Sequence, residues 1–421
     1  MSLAVPNRGE PVVSVLMAAH GGWPLTRQAI AAIIEHTEPA FELIVVDNAS
    51  PDETGRRLGE IAGLRLMRNR ENRGFGPANN QAAAQARGEF LFFLNTDAFV
   101  HPGWLEPLLA TGGKDQVGAV VPRLLNADGS LQEAGGLLAR DGSVLPYGDG
   151  DDPDLNCYRF PRAVDYGSAA GMLMRRSTFA ALGGFDERYA PAYFEDLDLC
   201  LRMAEQGLGV RYEPASVLTH VRGGSGKPDA ATALSERNHR RFVERWHRAL
   251  GGRPWTLVNA SGQAVIAARD ALASPRVLIG SPAGHPAAAA VVEELLAGWP
   301  RARVTWANES QTKDDPAALR ARGAEVLNAE DGAWLEARLF HYDLVLVAEG
   351  PENGFASAVA RTQPQAPRLS LDELWPSEAR SAPRHDAARQ GTGPAYHHQS
   401  CNGRWRFAPP LTPRRRPPRR R

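Results

Sequence analysis

Three acidic side chains fall within four residues of one another in Tyr193-Phe-Glu-Asp-Leu-Asp-Leu-Cys-Leu-Arg202. Helix capping and the attraction of carboxylates to a helix N-terminus account for one or two acids at such a start, at about 1 kcal/mol each, and leave a third without a reason. Tyr193 and Phe194 could present a flat face to a sugar ring. They could also desolvate a neighbouring carboxylate, which raises its proton affinity as a general base requires. Asn95-Thr96-Asp97 follows the apolar run 89–94. Mg²⁺ and Mn²⁺ prefer oxygen ligands, and one or two carboxylates completed by phosphate oxygens suffice. The competing reading is a turn capped by its own side chains. Asp47, after the apolar run 41–46, could accept hydrogen bonds from a base or ribose, or could simply cap the next helix. His220 stands before Val-Arg222-Gly-Gly-Ser225. An imidazole with Arg222 and a glycine-rich backbone could meet a metal or a diphosphate, although a lone histidine is more often a polar surface or core residue.

The elements that would position these groups alternate. Residues 12–19, 41–46, 64–67 and 89–94 read as strands, the first a β-branched apolar run suited to burial on both faces. Residues 23–36 carry apolar positions at helical spacing, and 77–87 form an Ala/Gln-rich helix. This βαβα rhythm predicts a mostly parallel sheet covered by helices, with polar residues gathered at the C-terminal strand ends where open α/β sheets bind ligands. After a strand at 117–123, the Gly-, Asp- and Pro-rich stretch 126–164 reads as a hairpin and loops over the site. Strands at 169–175 and 210–218, the second interrupted by Pro214, and helices at 177–182, 194–206 and 235–250 complete the unit. A second α/β pattern begins near Pro275, and no periodicity survives beyond Trp375.

With 421 residues, two domains and a tail are expected. No apolar run approaches the ~20 residues of a membrane helix, and the polar start shows no basic-then-apolar export pattern. Cys157, Cys200 and Cys401 are too scattered for a disulfide framework or metal cluster. A cytoplasmic protein is therefore expected. The net charge of zero hides an asymmetry: residues 376–421 carry 11 Arg against Glu378 and Asp386, so a +9 tail follows a −9 body. The tail reads as a disordered Pro/Arg-rich end. Its charge leaves open a peripheral contact with the inner face of the plasma membrane; a nucleic-acid partner is not expected.

Taken together and in order, the motifs resemble glycosyltransferase family 2, in its rhamnosyltransferase-like branch. The resemblance covers roughly residues 13–224. It is carried by Val45-Val-Asp-Asn-Ala-Ser50, Glu71-Asn-Arg-Gly-Phe-Gly76 with Asn79-Asn80, Gly88-Glu-Phe-Leu-Phe-Phe-Leu-Asn-Thr-Asp97, Gly183-Gly-Phe-Asp-Glu187, Phe194-Glu-Asp-Leu-Asp-Leu199 with Arg202, and His220. It implies the GT-A nucleotide-diphospho-sugar transferase fold, a nucleoside-diphosphate sugar (dTDP- or UDP-linked) as donor, a divalent metal (Mn²⁺ or Mg²⁺), inversion at the anomeric carbon, and a cell-surface or lipid-linked glycan as acceptor. In that frame Asp47 holds the base, and Asn48, Arg73, Gly74, Asn79, Asn95 and Arg222 belong to the donor site. Gly171 leaves room for donor sugar or acceptor, Asp97 and His220 bind the metal, Asp196 is the base, and Glu195 positions the acceptor. Arg202 buttresses the acids. Two departures stand out. Ala18-Ala19-His20 replaces the Thr-Tyr-Asn usual after the first strand, and Asn-Thr-Asp replaces Asp-x-Asp, which removes one negative charge. Residues 276–347 resemble the start of a GT-B transferase without its donor-binding half. The expected domains are therefore 1–253 (GT-A), 254–375 (a partial, inert, Rossmann-like unit) and 376–421 (tail). The alternative of another class is a pseudoenzyme that binds glycan or nucleotide without turnover.

Overall fold

The computed structural model describes residues 3–222, 228–257, 259–281, 286–308, 317–328, 333–348 and 354–371. The basic tail and Gly223-Gly224-Ser225 lie outside the described residues.

Strands hydrogen-bonded in parallel need cover on both faces, and Val13–Ala19, Phe41–Asp47 and Phe90–Leu94 are buried almost throughout. Val13–Ala19 lies between the other two and parallel to both, with Arg65–Arg68 outside Phe41–Asp47. Gly171–Arg175 enters antiparallel between Phe90–Leu94 and Val117–Leu125, and Gly209–His220 runs parallel to the latter. Side chains alternate across this sheet. Leu16, Ile44, Val46 and Phe93 face the helices Phe75–Ala83, Glu195–Glu205 and Pro228–Leu250. Val15, Met17, Val45 and Phe92 face Trp23–His36 and Leu105–Gly112. A mixed α/β core with a parallel-rich sheet is what the strand and helix rhythm predicts.

One element escapes the sequence reading, another runs past its expected end, and both matter for the site. Ala98–Val100 is three residues long, too short for a periodic signal, yet it pairs antiparallel with the end of Gly209–His220. That strand absorbs Pro214 in a register shift between Glu213 and Val217, where no ladder donor is needed. It then continues to His220, beyond the expected end at 218.

Past the helix Gly262–Arg269, which the sequence reading did not anticipate, a second sheet has five parallel strands. Their order is Glu325–Asn328, Arg303–Asn308, Arg276–Ser281, Leu344–Val347, Arg368–Ser370, the 3-2-1-4-5 winding of a Rossmann-like sheet. Leu257 and Ala268 pack into the core of the first sheet. A dry cluster of charges joins the two sheets. Arg269 donates to Asp270 and Glu325, Arg303 to Asp270, and Arg338 to Glu325. Burial pushes both carboxyls up, but the surrounding guanidinium groups outweigh it and hold both below their ordinary range. Arg303 also lies over the Phe160 ring, 5.0 Å from its centre, and Arg269 reaches the Tyr147 hydroxyl at 3.4 Å.

The helix Glu195–Glu205 is anchored by the third of its clustered acids. Asp198 is fully buried and accepts hydrogen bonds from Arg202 Nε (2.7 Å), Trp246 Nε1 (2.9 Å) and the Tyr189 hydroxyl (3.3 Å), with Arg245 2.9 Å away. Arg202 spends its other nitrogens on the carbonyls of Leu182 and Gly184. Removing one member of a buried pair strands the other's charge, which costs about 3–5 kcal/mol. The Asp198→Ala variant is therefore expected to lose about that much stability in urea unfolding, whereas Asp196→Asn keeps it. An Asp198→Ala midpoint equal to wild type would show that the anchor is dispensable.

Candidate active site

A cleft of about 790 Å³ opens at the C-terminal ends of Val13–Ala19 and Phe90–Leu94. Asn48, Gly74, Asn95, Asp97, Glu195, Asp196 and His220 all line it. Seven of the residues singled out in the sequence thus converge from segments more than 100 residues apart.

The meeting of Asp97 and His220 follows from the short antiparallel pairing. His220 is opposite Ala98, and the Val221 N–H donates to the Asp97 carbonyl at 2.9 Å, so Asp97 and His220 sit side by side. His220 Nε2 lies 3.3 Å from Asp97 Oδ1 and 3.3 Å from Asn95 Nδ2. A carboxylate oxygen and an imidazole nitrogen are donors that Mn²⁺ accepts, and phosphate oxygens can complete the shell. Among the described residues, no group of three His, Cys, Asp or Glu side chains gathers to hold a metal by itself.

Glu195 and Asp196 open their helix behind two aromatic residues in left-handed backbone, Tyr193 (φ 75°) and Phe194 (φ 74°). Non-glycine residues there cost of order 1–3 kcal/mol each and persist only where surrounding contacts impose them. The Asn238 amide supplies such contacts through the carbonyls of Tyr189, Ala192 and Tyr193. Asp196 Oδ2 accepts from the Ala169 N–H at 3.2 Å and Oδ1 from the Leu197 N–H at 2.9 Å. Burial pushes the Asp196 carboxyl up against the opposing pull of these two donors. Burial, followed by repulsion from Asp196, pushes Glu195 well above the ordinary range, and its buried Oε2 has no partner. Of the two, Glu195 is pushed further up, so it holds a proton more tightly than Asp196 does. The Asn95 N–H donates to the Ala170 carbonyl, so the segment 168–170 braces Asp196 on one side and the Asp97 turn on the other.

Asp47, Arg73, Asn79, Gly171 and Arg222 lie outside the cleft lining, and Asn48 and Gly74 reach it in structural roles. Asp47 accepts the Ser50 N–H at 3.0 Å, and its Oδ2 is close enough to Gly55 that an added Cβ would lie 2.1 Å away; the carboxylate organises its own turn and does not line the cleft. The Asn48 side chain is saturated, donating to Asn72 Oδ1 and the Gly74 carbonyl and accepting from Asn69 Nδ2 and the Arg73 N–H. It fixes the 69–74 loop and has no amide hydrogen to spare for a ligand. Arg73 is exposed outside the cleft lining, and buried Asn79 donates to the Phe75 carbonyl. Gly74, at φ 90°, lets the backbone come against Pro191, where a Cβ would lie 2.4 Å from Cα. Gly171 does not leave room for a sugar: a Cβ there would meet Leu218 and Pro122, so its constraint is strand packing. Arg222 pairs with Asp149 at 3.0 Å, away from the lining.

The sequence reading missed Glu133 and Gln132. Both lie in the buried three-residue strand Leu131–Glu133, within a stretch whose only signal is loop composition. Glu133 lines the cleft and accepts the Ser168 N–H at 3.2 Å. Burial first, and then the nearby Asp196, push its carboxyl up to about 7, although Ser168 and Arg222 pull the other way.

Comparison with known proteins agrees with this geometry. Residues 14–174 match the model of glycosyl transferase family 2. Over those residues the chain is similar to a glycosyl transferase family 2 domain. It is 34% identical over 236 residues to the O-antigen biosynthesis protein RfbC of Myxococcus xanthus, spanning 53% of this chain and 18% of that protein. To the pre-mycofactocin glycosyltransferase of Mycobacterium tuberculosis it is 32% identical, over 43% of this chain and 37% of the other. To the N-acetylglucosaminyl-diphospho-decaprenol L-rhamnosyltransferase of the same organism it is 27% identical, over 55% of this chain and 83% of that enzyme. The chain thus spans well under half of the first two relatives. The matched residues contain the cleft's strand ends, the Asp97 turn and Glu133, while Glu195, Asp196 and His220 follow them.

A carboxyl raised in the folded state favours the fold while it is protonated. That advantage over the unfolded chain fades as pH climbs from the ordinary glutamate range, near 4.5, through about 7. The Glu133→Gln variant, which can still accept the Ser168 N–H, should match wild type near pH 4. Above pH 7 it should be the more stable by roughly 3 kcal/mol. Parallel urea titrations at pH 4, 6 and 8 would read this out, and a constant difference at all three would show that Glu133 is not the titrating group.

Proposed function

We propose that this transferase moves a sugar from a nucleoside-diphosphate donor to a hydroxyl of a cell-surface or lipid-linked glycan, with inversion at the anomeric carbon. The observation that carries this reading is the convergence of Asp97 with His220 and of Asp196 with Glu195 in one cleft, joined through the segment 168–170. Rhamnose is the first sugar to consider, because a relative whose length is mostly covered is named for transferring it.

In this reading Asp196 takes the proton of the acceptor hydroxyl as the oxygen attacks the anomeric carbon. The bond from that carbon to the diphosphate oxygen breaks on the far side, and its electron pair leaves with the nucleoside diphosphate. Burial gives Asp196 the raised proton affinity a base needs, while the Ala169 and Leu197 N–H groups hold its two oxygens in place. Glu195, whose raised proton affinity favours its neutral form, can in that form donate to a sugar hydroxyl without placing a second buried charge beside the base. Asp97 Oδ1 and His220 Nε2 would hold a divalent cation, Mn²⁺ suiting their mixed oxygen and nitrogen donors better than Mg²⁺. When bound, such a cation neutralises charge developing on the leaving diphosphate. The nucleotide would lie along Ala18, His20, Gly21 and Gly74, whose backbone and small side chains line the same cleft. Among the described residues no helix is long and apolar enough to cross a membrane, so contact with a lipid-linked acceptor is proposed to be peripheral, at the inner membrane face.

Nucleoside-diphosphate release from dTDP-rhamnose and a set of UDP-sugars, with and without Mn²⁺, tests the reading. One donor should be turned over in a metal-dependent way, and Asp97→Ala should abolish that dependence. Asp196→Asn should lose roughly 10²–10⁴-fold in rate with donor affinity nearly unchanged. Full turnover in Asp196→Asn would remove the residue from the role of base.

A further inference from the structure

The hydrogen-bond network behind His220 determines where the imidazole proton sits. Asn126 Nδ2 donates to the Leu131 carbonyl at 3.0 Å, and a carbonyl can only accept, so the Asn126 amide is oriented with Oδ1 turned to Gln132. Gln132 Nε2 donates to that Oδ1 at 2.9 Å and to the His220 carbonyl at 2.8 Å. Both Gln132 amide hydrogens are thereby used on acceptors, and its orientation is fixed as well. Gln132 Oε1 then faces His220 Nδ1 at 2.7 Å as an acceptor, so Nδ1 must carry the hydrogen. In the neutral ring Nε2 keeps its lone pair, which lies 3.3 Å from Asp97 Oδ1 and 3.3 Å from the Asn95 amide nitrogen, a weak donor that a cation would displace. Two lone-pair atoms held that close are a seat for a cation. Gln132 is 3% exposed and is held with Asn126 in a chain of four hydrogen bonds, so the orientation is built in before any ligand arrives.

We propose that Gln132 is a positioning residue: it holds His220 in the tautomer whose Nε2 and the Asp97 carboxylate together form a preformed two-point seat for a divalent cation. This rests on the metal-dependent reading above and adds the residue that sets the metal-competent form of the ring. Gln132 itself touches neither substrate nor cation. Partners of this kind, behind a metal-bound histidine, typically change metal affinity 10–100-fold when lost.

The test uses the full chain with ¹⁵N-labelled histidine and Mn²⁺ as the probe, with the His220 signals assigned by their loss in His220→Asn. In the metal-free wild type, the His220 ring should show a protonated Nδ1 and a bare Nε2. The Gln132→Leu variant should show a shift toward protonated Nε2 and roughly 10–100-fold weaker Mn²⁺ binding by calorimetry. In Gln132→Glu a carboxylate oxygen still accepts from Nδ1, so the wild-type tautomer should persist; this variant separates the tautomer from a general loss of packing. A protonated Nε2 in the wild type would overturn the proposal without any variant having to fold. Equal Mn²⁺ affinity in wild type and Gln132→Leu would overturn the positioning role and leave the metal reading standing. A wild type with the expected tautomer but no Mn²⁺ binding would overturn the seat and the metal reading together.

Discussion

A carboxylate in a dry interior must be matched by donors, and Asp198 is matched by four groups from three segments of the chain. Arg202 comes from its own helix, Tyr189 from the turn before it, and Trp246 and Arg245 from the long helix Pro228–Leu250. Losing an arginine would leave charge poorly matched and losing Tyr189 or Trp246 would leave a carboxylate oxygen short of a donor, so the start of Glu195–Glu205 is fixed in place and direction. Glu195 and Asp196 inherit that placement. Together with the Asn238 amide that holds the carbonyls of Tyr189, Ala192 and Tyr193, it keeps Tyr193 and Phe194 in left-handed backbone and the two acids in a buried cleft against their own repulsion.

The cation half of the cleft is fixed differently, by main-chain pairing. Antiparallel register between Ala98–Val100 and the end of Gly209–His220 brings Asp97 beside His220, and across the register shift around Pro214 that strand pairs with three partners, Arg162–Val164, Val117–Leu125 and Ala98–Val100. The segment 168–170 connects the halves, since its N–H and carbonyl groups are divided between Asp196 and Asn95. Distances on which catalysis would depend are thus set by backbone hydrogen bonds, with few long side chains left to wander.

Much of this was legible in the sequence, for identifiable reasons. Strands buried on both faces are continuous apolar runs, and their C-terminal ends show as abrupt polar residues, so the Asp97 turn could be read directly. The acids at 195–198 also stood out, because capping explains only some of them. What composition could not do was divide the roles: Asp198 is the structural acid, and nothing in the text of that cluster distinguishes it from Asp196. Gln132 and Glu133 were hidden for another reason. Their strand is three residues long and lies in a Gly- and Asp-rich stretch, so neither periodicity nor spacing marks them. Asp47 and Gly171 show the converse, residues that fit a family pattern while their neighbours in space give each a local structural duty.

The dry charge cluster that joins the two sheets bears on how this chain can change over evolutionary time. Arg269 and Asp270 lie immediately before the second sheet, and their partners Glu325, Arg303 and Arg338 lie within or beyond it. A shortened gene that ended near residue 275 would keep the Arg269–Asp270 pair and discard Glu325, Arg303 and Arg338, the groups that enclose and complete it. The second unit can therefore lose every trace of chemistry of its own and still be retained by selection, because its deletion would be felt at once in the folding of the part that remains.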